Sequence, residues 1–132
     1  EIRNSYNYFM KIGAFVPQGW RMDLNEITLE DQWDTIISTA KAIEDLNYTS
    51  VWVYDHFHTV PIPTQDPTYE CWSLMAALSQ STSKVRLGQM CTCNSYRNPS
   101  YLTKVASNID VMSNGRLEYA IGAGWYDHEY KA

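Results

Sequence analysis

The chain has 132 residues, one domain's worth and short of the roughly 250 that a complete (β/α)8 barrel takes. Hydrophobic residues make up 45% and charged residues 19%, which excludes a disordered chain. A net charge of −5 gives no electrostatic reason for nucleic acid or an anionic membrane as partner, and no apolar run approaches the ~20 residues that span a bilayer.

Residues 1–9 are polar and aromatic and lack the charged-then-apolar plan of a signal peptide. Met10-Lys11-Ile12-Gly13 reads as a natural start, so residues 1–9 are taken as an extension and residues 10–132 as the domain. Four apolar runs of strand length follow: Lys11–Val16, Ser50–Tyr54, Val85–Met90 and Leu117–Ile121. None alternates cleanly, as expected of parallel strands buried on both faces.

Three helical patterns lie between them. The first spans Leu29 to Leu46, with Leu29, Trp33, Ile36, Ile37, Ala40 and Ile43 on one face and Thr28 as N-cap. The second starts near Asp66-Pro67 and runs through Trp72, Leu74, Met75 and Leu78 to Gln80. The third opens on Asn98-Pro99 and carries Leu102, Val105, Ala106, Ile109 and Met112. It ends where Gly115 can take the left-handed cap. The order β-α-β-α-β-α-β, with strand starts roughly 30 to 40 residues apart, is that of repeated βαβ units.

The helix-to-strand turns are short and bland. The strand-to-helix loops carry Gln18, Trp20 and Arg21, then Asp55, His56 and His58, then Cys91, Cys93, Tyr96 and Arg97, and finally Trp125, Asp127, His128 and Glu129. In a parallel α/β protein these loops gather at the carboxyl ends of the strands, where ligands bind. That asymmetry points to an active site on the rim.

Taken alone, Asp55 braces a loop and His56 is a satisfied rim residue. Cys91-x-Cys93 lacks the spacing and the second ligand pair of a zinc site, and His56-x-His58 lacks further ligands, so no metal is assigned. With Cys71, the three cysteines form no disulfide framework, which suits a reduced, cytoplasmic protein.

Four segments resemble one family. Val51-Trp52-Val53-Tyr54-Asp55-His56-Phe57 looks like the second-strand signature of the luciferase-like monooxygenase superfamily. Leu87-Gly88-Gln89-Met90-Cys91-Thr92 resembles its third strand, and Tyr96-Arg97-Asn98-Pro99 the start of its next helix. Asp110 through Gly124 resembles its helix end, turn and fourth strand. Phe15-Val16-Pro17-Gln18-Gly19-Trp20 and Gly122-Ala123-Gly124-Trp125-Tyr126 resemble the branch of deazaflavin-dependent oxidoreductases.

The resemblance implies an α/β chain forming the N-terminal half, four βα units, of a parallel (β/α)8 TIM barrel. It implies coenzyme F-420, with FMN as the alternative, and a small-molecule substrate. His56 becomes the proton donor or acceptor beside the ring, with Asp55 orienting it. Gln89, Met90, Cys91 and Thr92 become cofactor contacts, around a non-proline cis peptide at Met90-Cys91. Trp20, His58 and Trp125 line the substrate pocket. In some deazaflavin dehydrogenases the position of Trp125 is a catalytic carboxylic acid, so a sugar-phosphate dehydrogenase activity is not expected here.

No Gly-rich phosphate loop is present, and Gly122-x-Gly124 lacks a third glycine. A four-stranded half-barrel leaves two sheet edges and an apolar inner face open. The expectation is a fragment of a longer protein, a second half-barrel or a homo-oligomer. A non-catalytic interaction subunit is the alternative of a different class.

Overall fold

The computed structural model describes residues 10–132; the extension assigned to residues 1–9 lies outside the described residues. The elements run β1 (Gly13–Phe15), α1 (Leu29–Asp45), β2 (Ser50–Val53), α2 (Cys71–Ser81), β3 (Arg86–Gln89), β4 (Thr92–Cys93), α3 (Pro99–Met112), β5 (Leu117–Glu118), β6 (Ile121–Gly122) and α4 (Asp127–Lys131). β1, β2, β3 and β5 form a parallel sheet in that order, with Val51 opposite Ala14 and Leu87, and Leu87 opposite Leu117. These are consecutive βα units, the half-barrel read from the sequence.

The third and fourth strands are each interrupted. β3 ends at Gln89, the Met90–Cys91 peptide is cis, and pairing resumes as β4 beside β6, with Thr92 opposite Ile121 and Cys93 opposite Gly122. The single strands expected over Val85–Met90 and Leu117–Ile121 are therefore broken at the rim, and β4–β6 carries the ladder into the site.

The core lies between the sheet and its helices. Val51, Val53 and Leu87 are fully buried against Ile36, Ala40, Leu74, Met75 and Leu78. The opposite, concave face carries Phe15, Trp52, Arg86 and Met90 along a groove of about 420 Å³. There the Trp52 indole lies across both neighbouring strands, where a Cβ on Gly13 or on Gly88 would run into it. Phe15 and Met90 stay 40% and 47% exposed, and among the described residues β1 and β5 each pair on one side only. The open inner face expected of half a barrel is thus present.

Three sequence expectations are corrected. The buried stripe of α1 is Gln32, Ile36, Ala40 and Ile43, whereas Leu29 and Trp33 are exposed. The helix is rotated because Gln32 turns inward, its Nε2 donating to the carbonyls of Leu24 and Ile27 at 3.3 Å each. Thr28 does occupy the N-cap, but its hydroxyl donates to the Asp31 carboxylate and accepts no bond from the helix N–H groups. The second helix begins at Cys71, not at Asp66-Pro67. Glu70 caps it by accepting from the N–H groups of Trp72 and Ser73 at 3.1 and 2.7 Å. Residues 66–69 are instead drawn onto the first loop: the Pro67 carbonyl sits over Gly19, which has φ +90°, and the Tyr69 N–H donates to the Gln18 carbonyl.

α3 follows the expected plan. The Asn98 side chain accepts from Ser100 and Tyr101 N–H, Pro99 opens the helix, and Gly115 takes φ +76° beyond its end. Met112, however, is 45% exposed and lies off the core.

The helix-to-strand turns are braced by two side chains. Glu44 accepts from the N–H groups of Ser83, Lys84 and Val85. The Arg116 guanidinium donates to the carbonyls of Ser79, Thr82, Val85 and Ser113. These side chains brace the amino-end rim, the end of a parallel barrel that serves stability.

Candidate active site

β2 ends at Val53 and delivers Asp55 and His56 to the carboxyl-end rim, both buried. The two side chains take different partners. Asp55 accepts a bidentate pair from Arg97, both contacts at 2.7 Å, and a third bond from the Cys93 N–H at 2.8 Å. Arg97 also donates to Glu70, the cap of α2. One guanidinium therefore ties the end of β2 to β4 and to the start of α2, in the planar fork that suits a carboxylate.

Burial works against the charge on Arg97, but Asp55 and Glu70 outweigh it and hold its pKa above the usual value. Burial pushes the Glu70 carboxyl up, while the Ser73 and Trp72 amides and Arg97 bring it below the usual range.

His56 turns the other way. Its Nδ1 lies 2.8 Å from Oε2 of Glu129 on α4, a carboxylate with no side-chain exposure. Oε1 of the same residue accepts from the N–H groups of Phe57 and His58 at 2.6 and 3.0 Å. Tyr96 donates its hydroxyl to Oε2. Burial raises the Glu129 pKa, but the bonds from Tyr96, His56, His58 and Phe57 outweigh it, so the carboxyl titrates below the usual range. The Tyr96 hydroxyl is pushed up by burial and by Glu129. α4 is fixed in place by Tyr126, whose hydroxyl donates to the Thr59 carbonyl at 2.9 Å.

One face of the His56 ring stacks on Trp20, with centroids 4.3 Å apart and planes 3° from parallel. Trp20 packs in turn on Tyr54, and Tyr54 on Phe15, so aromatic rings run from the inner face of the sheet to the rim. His56 also borders a cleft of about 210 Å³, shared with Met90, Cys91, Tyr96, Gly122, Gly124 and Trp125. Nε2 has no hydrogen-bond partner among the described residues. The imidazole is thus gripped at one nitrogen and free at the other.

Residues 10–132 match the sequence model of the family described as luciferase-like monooxygenase. The chain belongs to that family. Among curated relatives, it is 26% identical over 127 residues to the pyrimidine monooxygenase RutA of Serratia proteamaculans, covering 92% of this chain and 34% of that protein. Among solved structures, it is similar to an F-420-dependent secondary alcohol dehydrogenase in complex with an F-420–acetone adduct. That similarity has a TM-score of 0.68 and 28% identity, over 86% of this chain and 32% of the other.

The FMN-bound oxygenating constituent of 3,6-diketocamphane monooxygenase from Pseudomonas putida shares the fold. Its TM-score is 0.71 at 20% identity, over 93% of this chain and 32% of the other. The chain spans about a third of the length of these proteins.

Of the residues marked in the sequence of this luciferase-like chain, His56, Met90, Cys91 and Trp125 border the cleft together. Trp20 is 8% exposed and backs the His56 ring instead of facing the cleft. Asp55 also borders the cleft but makes no hydrogen bond to His56; its oxygens are taken by Arg97 and Cys93. The carboxylate in contact with His56 is Glu129.

Gln89 and Thr92 are fully buried beneath the rim, bonded to each other at 3.3 Å, and Nε2 of Gln89 has no hydrogen-bond partner among the described residues. His58 packs against His128 at 4.7 Å, and its Nδ1 has no hydrogen-bond partner among the described residues. Among the described residues no group of three His, Cys, Asp or Glu side chains is placed to hold a metal, and no helix is long and apolar enough to cross a membrane.

Glu129, Tyr96 and Arg97 all sit on loaded rim loops in the sequence, but nothing local separates them from solvated loop residues. Their partners lie 27 to 73 positions away.

Proposed function

We propose that the protein is an oxidoreductase that moves a hydride between coenzyme F-420 and a small organic substrate, with His56 exchanging a proton at the edge of the bound ring. The observation that carries this reading is the buried imidazole, held at Nδ1 by Glu129 and backed by Trp20, with its other edge on the rim cleft. Histidine is suited to proton exchange near neutral pH.

The cleft residues fit the edge of a flat heteroaromatic group. Trp125 and Met90 offer exposed apolar surface, Gly122 and Gly124 keep one wall free of side chains, and the backbone at Met90–Cys91 is accessible. The deazaflavin, when bound, supplies or accepts the hydride. Cys91 joins Met90 as a contact to it, while Gln89 and Thr92 support that wall from below. Trp125 borders the substrate, whereas His58 lies outside the cleft.

FMN is the second reading, favoured by the match to a monooxygenase along 92% of this chain. The open inner face is closed by four further strands, from a second half-barrel or a second copy. The unpaired cysteines suit a cytoplasmic enzyme.

The test is a fluorescence titration with F-420 and then FMN, on the wild type and on His56→Ala. We expect tighter uptake of F-420 than of FMN, and a loss of turnover in the variant of roughly 100-fold or more. Tighter uptake of FMN would move the assignment to a flavin monooxygenase. Uptake of neither would leave a non-catalytic interaction subunit.

A further inference from the structure

The proposed function needs His56 to offer a defined atom to the cleft, and a neutral imidazole can carry its proton on either nitrogen. The structure makes the choice at the buried end of the ring. Glu129 titrates below the usual carboxylate range, so it is ionised at neutral pH and can only accept. Its Oε2 already takes the Tyr96 hydroxyl, and the 2.8 Å contact with His56 Nδ1 is a hydrogen bond only if Nδ1 bears the proton. The two backbone N–H groups on Oε1 stop the carboxylate from turning away.

We infer that Glu129 is a positioning residue for His56: it fixes the Nδ1–H tautomer and leaves Nε2 as a lone-pair acceptor at the cleft. This deepens the oxidoreductase reading and takes its catalytic meaning from it, but the tautomer itself does not depend on any cofactor.

The geometry also specifies what the mildest substitution does. In Glu129→Gln the amide oxygen must stay at the Oε1 position, because the N–H groups of Phe57 and His58 need an acceptor there. The amide NH2 then occupies the Oε2 position and faces Nδ1 as a donor. His56 responds by accepting at Nδ1 and moving its proton to Nε2, so the atom at the cleft changes from acceptor to donor. A residue that merely packed beside His56 would have no such effect. Tyr96→Phe, by contrast, removes one bond to Oε2 and leaves the carboxylate facing Nδ1, so it keeps the wild-type tautomer.

The experiment is nitrogen NMR of the 15N-histidine-labelled protein. It has three histidines, and the His56 signals are assigned by their loss in His56→Asn. Spectra are read on the alkaline side, where the ring is neutral. We expect a protonated Nδ1 and an unprotonated Nε2 in the wild type and in Tyr96→Phe, and the reverse in Glu129→Gln. An Nε2–H ring in the wild type, or the same tautomer in the wild type and Glu129→Gln, overturns the inference. If Glu129→Gln does not fold, the wild-type spectrum alone decides.

Titration of the same samples with F-420 and with FMN separates the two proposals. A tautomer that inverts in a protein taking up neither group sinks the oxidoreductase reading and leaves the positioning by Glu129 standing. Uptake of F-420 without the inversion does the opposite.

Discussion

Replacing Arg97 by Met tests whether the rim under the cleft is held by one buried charge network. In the native chain the Arg97 side chain is 11% exposed and Asp55 is fully buried, with two of its three hydrogen bonds coming from the guanidinium. Met fills comparable volume but leaves Asp55 with the Cys93 N–H alone. Stranding one member of a buried ion pair costs about 3–5 kcal/mol. The lost contact to Glu70 adds little, because that side chain is 35% exposed and still caps α2.

We therefore expect Arg97→Met to lose about 4 kcal/mol. With a urea m-value of about 1.5 kcal/mol/M, that moves the midpoint down by roughly 2.5 M. Asp55→Asn in the same background removes the stranded charge and should restore about half of the loss. The assay is urea unfolding followed by tryptophan fluorescence, analysed as two-state where fluorescence and circular dichroism coincide. A loss below about 1 kcal/mol, or a double variant no more stable than the single one, would refute the buried-pair account.

Two further outcomes follow from the structure. Glu44 is slightly buried, which raises its pKa, but the N–H groups of Val85, Lys84 and Ser83 outweigh this and bring it down to about 2. Its native-state pKa is depressed, so its contribution is complete above the unfolded value near 4.5 and is lost as pH falls through about 2. Because the group is mostly exposed, Glu44→Gln should lose only about 1 kcal/mol at neutral pH. That difference from the wild type should vanish in acid; an equal difference at both ends of a pH series of urea midpoints would contradict it.

Gly88→Ala drives a Cβ into the Trp52 ring on the concave face, and overpacking of this kind costs about 1–3 kcal/mol. Adding Trp52→Leu should recover most of it. A double variant that unfolds as early as Gly88→Ala would show that the indole is not the obstacle.

The architecture was legible because it is written in short-range patterns. Strand-length apolar runs, the Asn98-Pro99 start and the Gly115 stop depend on residues within a few positions of each other, and the structure has the expected elements in the expected order, with the third and fourth strands each split in two and a short α4 added. The concentration of His, Trp and Arg in the strand-to-helix loops likewise needs only the rule that such loops share one rim.

The start of α2 was not legible, because Asp66-Pro67 offers as good a local cap as Glu70. The choice between them was made by Gln18, whose side chain holds the carbonyls of Tyr54 and Tyr69 from 36 and 51 positions away. The pairing of the site's charges was also closed to sequence reasoning. Asp55 adjoins His56 in the chain but bonds to Arg97, 42 positions on. Glu129 reaches His56 across 73 positions because α4 folds back over the end of β2. Neighbouring side chains at the end of a strand point to opposite sides, so adjacency in sequence separated the two groups that look like a pair. Only the order of strands around the sheet decided which carboxylate each of them would meet.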